Sequence, residues 1–196
     1  MKKAFLSSLL ILALGLIGYI WVLPSYLPEP APARDYSAIG GDFTLNTIDG
    51  PIHRDDFAGQ VVMLFFGFTH CPDYCLASLA TKRQVLHALT PAELERVRGL
   101  FVSVDPARDD LATLAEYTAF FHPNIVGATS DLAEVTAMAD QFFAAFHYIE
   151  TPDSELDYLV EHTTRTYILG TDGIVAGLFT HEASYTDILQ RIKELL

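Results

Sequence analysis

Only two cysteines occur in 196 residues, Cys71 and Cys75. Two cannot build the multi-bridge framework of a small secreted domain, nor supply the four ligands that structural zinc normally takes. Basic residues are scarce as well: 12 Lys and Arg stand against 25 Asp and Glu, a formal net charge of −13. That balance argues against nucleic acid and against adsorption to anionic lipid. The chain has no internal repeat, and its only biased stretch is Pro24 to Pro32, which carries four prolines.

Met1-Lys2-Lys3 is followed by twenty uncharged, mostly apolar residues, Ala4 to Leu23. As a helix they would span about 30 Å, one hydrocarbon core. Lys2 and Lys3 then stay on the cytoplasmic side, and Trp21 and Tyr26 suit the far interface. A cleaved signal peptide is the rival reading. Ala31-Pro32-Ala33 resembles a cleavage site but lies far from an apolar run that is itself long for a signal. No cysteine follows the run to carry lipid. The expected organisation is a membrane anchor over 1–23, a stiff proline-rich linker over 24–33 and one domain over 34–196. That domain lies outside the cytoplasm, in a bacterial periplasm. Lys2, Lys3 and Glu29 precede it, which leaves it 10 basic and 24 acidic residues, a net of −14.

The most informative stretch is Val61 to Cys75, Val-Val-Met-Leu-Phe-Phe-Gly-Phe-Thr-His-Cys-Pro-Asp-Tyr-Cys. Six apolar residues between Gly59 and Gly67 suit a strand buried on both faces. Both cysteines follow at once, on a strand-to-helix turn, where helix-start amides favour thiolate over thiol. Ligands of open α/β sheets bind at this end of the strands. Three chemistries fit a pair spaced C-x-x-x-C: a structural disulfide, a redox dithiol, or two thiolate ligands on a soft metal. The bridge would close so short a loop that it stabilises by only about 2 kcal/mol. Copper(I) takes thiolates readily, and an imidazole would complete a three-coordinate site.

Around this stretch the chain predicts a hairpin at Phe43 to Ile48 with Asp49-Gly50 as turn, and one helical turn ending at Gly59. A helix follows to about Leu89, its apolar positions taken as Leu76, Leu79, Ala80, Leu86 and Leu89. Thr90-Pro91-Ala92-Glu93 reads as a capping box, and Leu100 to Val104 as a second buried strand. Leu111 to Phe121 fits a helix. Asp131 caps another that is expected to reach about Phe146, with Phe142, Phe143, Phe146 and Tyr148 as its aromatic core. Thr166 to Leu169 and Ile174 to Phe179 form a late hairpin, and Ser184 opens the last helix. Strand–helix alternation followed by an antiparallel pair describes an α/β fold, a thioredoxin-like mixed sheet flanked by helices.

Three ordered blocks resemble the SCO/SenC family of copper-binding, membrane-anchored, thioredoxin-like proteins. They are Phe65 to Cys75, Val104-Asp105-Pro106-Ala107-Arg108-Asp109, and Asp157 to Thr163 followed by Tyr167 to Gly173. The resemblance implies that Cys71, Cys75 and His162 bind copper, as Cu(I) and also as Cu(II). It implies a role in assembling the binuclear copper centre of cytochrome c oxidase subunit II, by delivering copper, by reducing that subunit's cysteines, or both. Leu76 departs from the family, which usually has proline after the second cysteine, and Glu161 replaces the usual aspartate. An unidentified copper donor and an external thiol reductant are required by this chemistry, because a Cys71–Cys75 disulfide removes both soft ligands. The alternative is a thiol–disulfide oxidoreductase that uses Cys71 and Cys75 without His162. A peroxide-reducing enzyme lacks its active-site motif here. Asp105, Arg108 and Asp109 fit either a charged shell around the site, a partner surface or an internal ion pair. His70 reads as an exposed loop residue, and His53, His87, His122, His147 and His181 show no pairing that suggests ligation.

Overall fold

The structure, a computed structural model, describes residues 15–16, 18–19, 35–151 and 157–196. The expected anchor and linker therefore lie outside the described residues, apart from Gly15, Leu16, Gly18 and Tyr19, which are helical. Among the described residues no helix is long and apolar enough to cross a membrane. Tyr36–Leu196 forms one compact unit.

Thr44–Thr47 (β1) and Gly50–His53 (β2) pair antiparallel, and Gly50 takes the positive φ that the expected turn requires. A single 3₁₀ turn, Arg54–Phe57, leads to Val61–Gly67 (β3), in which every residue is buried. Tyr74–His87 (α1) and the one-turn Pro91–Leu94 (α2) follow, the latter held by the Thr90–Glu93 capping box. Then come Val97–Ser103 (β4), Leu111–Phe121 (α3), Ile125–Ala128 (β5) and Leu132–Gln141 (α4). Phe146–Glu150 (β6) pairs antiparallel with Tyr158–His162 (β7). Thr166–Leu169 (β8), Val175–Phe179 (β9) and Tyr185–Leu195 (α5) complete the unit.

Five strands make the main sheet, in the order β5-β4-β3-β8-β9. β3, β4 and β5 run parallel, while β8 is antiparallel to both its neighbours. β3 is central, so its backbone is paired on both edges and its side chains serve both faces. Phe65 stacks on Phe101 on one side, and Phe66 meets Phe142 and Tyr167 edge-on at 5.8 and 6.0 Å on the other. Burying such side chains contributes about 1.5–3 kcal/mol each before conformational entropy is counted. The mixed, thioredoxin-like arrangement of sheet and helices agrees with the sequence reading.

Two helices differ from expectation. In α1 the buried face is Cys75, Ser78, Leu79, Lys82, Val85 and Leu86, whereas Leu76 is exposed. The helix stops at His87, two residues short of Leu89. α4 ends at Gln141 and does not reach Phe146, because Phe142 turns into the core between Phe66 and Tyr167. Phe143 then adopts φ +49, a left-handed conformation that no helix continues through. Phe146 and Tyr148 consequently lie on a strand.

Candidate metal centre

Gly67, the last residue of β3, has no room for a side chain. A Cβ at this position would sit 2.8 Å from the Cys75 sulfur, 2.8 Å from Phe101 and 2.9 Å from Phe65. The chain turns through Thr69-His70-Cys71, with the Cys71 N–H donating to the Phe68 carbonyl, and enters α1 one residue before Cys75. Asp109, fully buried, fastens this turn. Its carboxylate accepts the Thr69 N–H at 2.9 Å, the Thr69 hydroxyl at 2.5 Å and the Ser103 hydroxyl at 2.6 Å. His70 is half-exposed, 3.7 Å from the same carboxylate, in keeping with a loop residue.

His162 arrives from the other side as the last residue of β7. Its Nε2 lies 3.5 Å from the Cys75 sulfur. The Nδ1 atom is 3.2 Å from the Thr163 carbonyl. A carbonyl only accepts, so Nδ1 carries the proton and the Nε2 lone pair faces the sulfurs. The rings of Phe65 and Phe68 meet the imidazole edge-on at 5.9 and 5.7 Å. No peptide bond among the described residues is cis, so Thr163-Thr164 passes the site without the cis-proline of thioredoxins.

Neither cysteine is tied up in a disulfide. The two sulfurs and one imidazole nitrogen all lie within 4.8 Å of one another, the one such group of three among the described residues. A trigonal ion with bonds of ~2.0–2.3 Å to such donors holds its ligands roughly 3.5–4 Å apart. The donor set thus fits a soft ion after tightening by about 1 Å. Cys75 is wholly buried and Cys71 is 7% exposed, so Cys71 forms the accessible rim.

The pair shares its protons unequally. The Cys75 thiol donating to Cys71 holds the latter far below the usual thiol range, at about 3, against the opposing effect of burial and with further help from the backbone N–H groups of Cys75 and Asp73. The same partnership, together with burial, pushes Cys75 far up. Without metal the site is one thiolate and one thiol, and a bound cation would displace the remaining proton.

Lys82, which sequence reading missed, lies fully buried on the α1 face that carries Cys75. Its Nζ donates to Thr166 Oγ1 at 2.8 Å and sits 4.4 Å from the Phe65 ring centroid. Burial pushes this amine down to about 7, against the pull of Cys75. Its spacing was the available signal, three residues after Leu79 and seven after Cys75 on one face.

Asp105 and Arg108 form an internal ion pair, Nε to Oδ2 at 2.5 Å, with Asp105 fully buried. Tyr158 donates its hydroxyl to Asp105 Oδ1 at 2.7 Å, and Arg108 Nη1 donates to the Tyr158 carbonyl at 2.9 Å. Of the other histidines, His87 and His122 pack at 5.2 Å, but their ring nitrogens face Arg83 and the Asn124 N–H, with no third donor. His181 meets Tyr74 edge-on at 4.8 Å.

Comparison with known proteins follows the same lines. A sequence model described as SCO1/SenC matches residues 31–196. The chain is 36% identical over 160 residues to "Protein SCO2 homolog, mitochondrial" of Mus musculus, covering 80% of this chain and 62% of that protein. It therefore spans less than two thirds of this relative's length. Bradyrhizobium japonicum ScoI with copper bound superposes with a TM-score of 0.73 at 32% identity, covering 81% of this chain and all of that one. Arabidopsis thaliana ScoI with copper bound gives 0.74 at 29%, covering 80% and 98%.

Proposed function

Because the chain belongs to the SCO1/SenC family, we propose that it is a copper carrier that takes part in cytochrome c oxidase assembly. Cys71, Cys75 and His162 hold the metal, and the recipient is the binuclear copper centre of oxidase subunit II. A membrane anchor over 1–23 and a linker over 24–33 tether the copper-binding domain, 34–196, outside the cytoplasm. The observation that carries this reading is the approach of two free sulfurs and one Nε2 lone pair to within 4.8 Å. Two thiolates and a neutral imidazole match Cu(I), a soft ion, at low coordination number. Transfer is a ligand exchange. The partner's thiolate attacks the open position from the Cys71 side, and the metal passes across as the bonds to this chain break.

His162→Ala tests the carrier against the thiol–disulfide oxidoreductase, which needs only the sulfurs. The Cys71 sulfur, ionised at neutral pH and at the accessible rim beside a second cysteine, is what favours that second reading. For the carrier, the variant binds Cu(I) more weakly and loses Cu(II), the harder ion, more severely. Titration of the reduced chain against competing chelators measures both. Unchanged affinity for both ions, with disulfide reduction intact, would leave the oxidoreductase as the better account.

A further inference from the structure

The β6–β7 hairpin that ends in His162 is a separate two-stranded sheet, hydrogen-bonded to neither edge of the main one. Only Val160 among its strand residues is buried. Something other than sheet pairing must therefore place the imidazole beside the sulfurs. Three polar ties reach the hairpin from the loop after β4. The Tyr148 hydroxyl donates to the Val104 carbonyl at 2.6 Å, the Tyr158 hydroxyl donates to Asp105, and Arg108 donates to the Tyr158 carbonyl. The Arg108 guanidinium also lies over the Tyr158 ring, 3.8 Å from its centroid, and 5.8 Å from that of Phe68. Four residues beyond Asp105, Asp109 grips Thr69 on the cysteine turn. Ser103 joins the two acids, donating to Asp109 and accepting the Asp105 N–H.

We propose that the Val104–Asp109 loop is a common anchor that sets the distance between the histidine and the cysteines. Asp109 fixes the cysteine turn, while Asp105, with Arg108 and Tyr158, fixes the histidine hairpin. These are positioning residues that act through His162 and Cys71 and touch no metal. Both carboxylates are fully buried, which fits a joint better than a partner surface. Buried charges held by several hydrogen bonds have one low-energy geometry, so the joint is stiff where the hairpin alone is not.

This inference rests on His162 being a copper ligand, but its first readout needs no copper. In the reduced, copper-free full-length chain, the edge contacts with Phe65 and Phe68 displace the His162 ring-proton resonances from ordinary histidine positions. In Tyr158→Phe, which removes one hydroxyl and no charge, those resonances move back while the β3 and β4 amide signals stay in place. Cu(II) affinity falls by about 10–100-fold, and Cu(I) affinity, carried mainly by the sulfurs, falls less. Asp105→Asn gives the same pattern more strongly. Should that variant fail to fold, Tyr158→Phe decides alone. Ring signals that do not move in Tyr158→Phe overturn the anchor, as does a displaced ring with Cu(II) affinity intact. A wild-type chain that binds no copper sinks the carrier reading, and the ring signals still judge the anchor.

Discussion

Changing Cys71 and Cys75 together to serine abolishes tight Cu(I) binding, with the affinity falling by more than about a thousandfold, ~4 kcal/mol. Serine keeps the size of cysteine but offers a hard, protonated oxygen in place of a soft thiolate. Only the His162 imidazole then remains to hold a monovalent ion. The fold should survive, since a free cysteine behaves as a small apolar residue and serine is no larger. Each buried hydroxyl costs about 1–3 kcal/mol unless it finds a partner, and His162 Nε2, 3.5 Å from the Cys75 sulfur, is available to one of them. Competition with a Cu(I) chelator reads the affinity, and an unfolding curve confirms the fold. A folded double variant with wild-type Cu(I) affinity contradicts the carrier account.

Lys82→Met stabilises the copper-free, reduced chain at neutral and lower pH, by on the order of 3 kcal/mol. Lys82 is fully buried with no carboxylate partner among the described residues, and its amine is pushed down to about 7 from an ordinary 10.5, first of all by desolvation. Below pH 7 both folded and unfolded chains carry the charge, so the folded state bears the whole desolvation cost. Between pH 7 and 10.5 the unfolded chain binds a proton that the folded one does not. Wild-type stability therefore gains about 1.4 kcal/mol per pH unit from this group across that window. The methionine variant lacks this slope, so its advantage is largest at pH 6–7 and shrinks as pH rises toward 10.5. Cysteine ionisation also alters stability, but it is largely common to both chains and cancels in the difference. Loss of the bond to Thr166 offsets about 1 kcal/mol. Urea unfolding at pH 6, 8 and 10 under reductant measures the pattern, and a variant less stable than wild type at pH 6 contradicts it. The retained lysine has a chemical counterpart, since a cation beneath Cys75 offsets the second thiolate that copper binding creates.

The parts of the fold legible in the sequence are those where burial or capping leaves a local mark. Val61 to Phe66 reads as a central strand because pairing on both edges and packing on both faces demand an unbroken apolar run. The Thr90 box and the start of the Leu132–Gln141 helix are visible through Thr90, Glu93 and Asp131, whose side chains bond the first free N–H groups. The β6–β7 hairpin was illegible for the opposite reason. It is mostly exposed, so no alternation marks its strands, and Phe142, Phe143 and Phe146 mimic helical spacing. The cysteines announce themselves by spacing alone. His162 does not, being one of seven histidines, and only resemblance singled it out. The roles of Asp105, Asp109 and Lys82 depend on contacts 40 to 84 residues away in sequence, such as Thr69 with Asp109 and Lys82 with Thr166, which no local pattern encodes.

Convergence of both sulfurs and the His162 nitrogen on one copper ion is tested most directly by X-ray absorption at the copper edge of the reduced chain loaded with one Cu(I). The predicted spectrum requires two sulfur neighbours and one imidazole nitrogen per copper. A first shell without sulfur, or one whose nitrogen persists unchanged in His162→Ala, would contradict it.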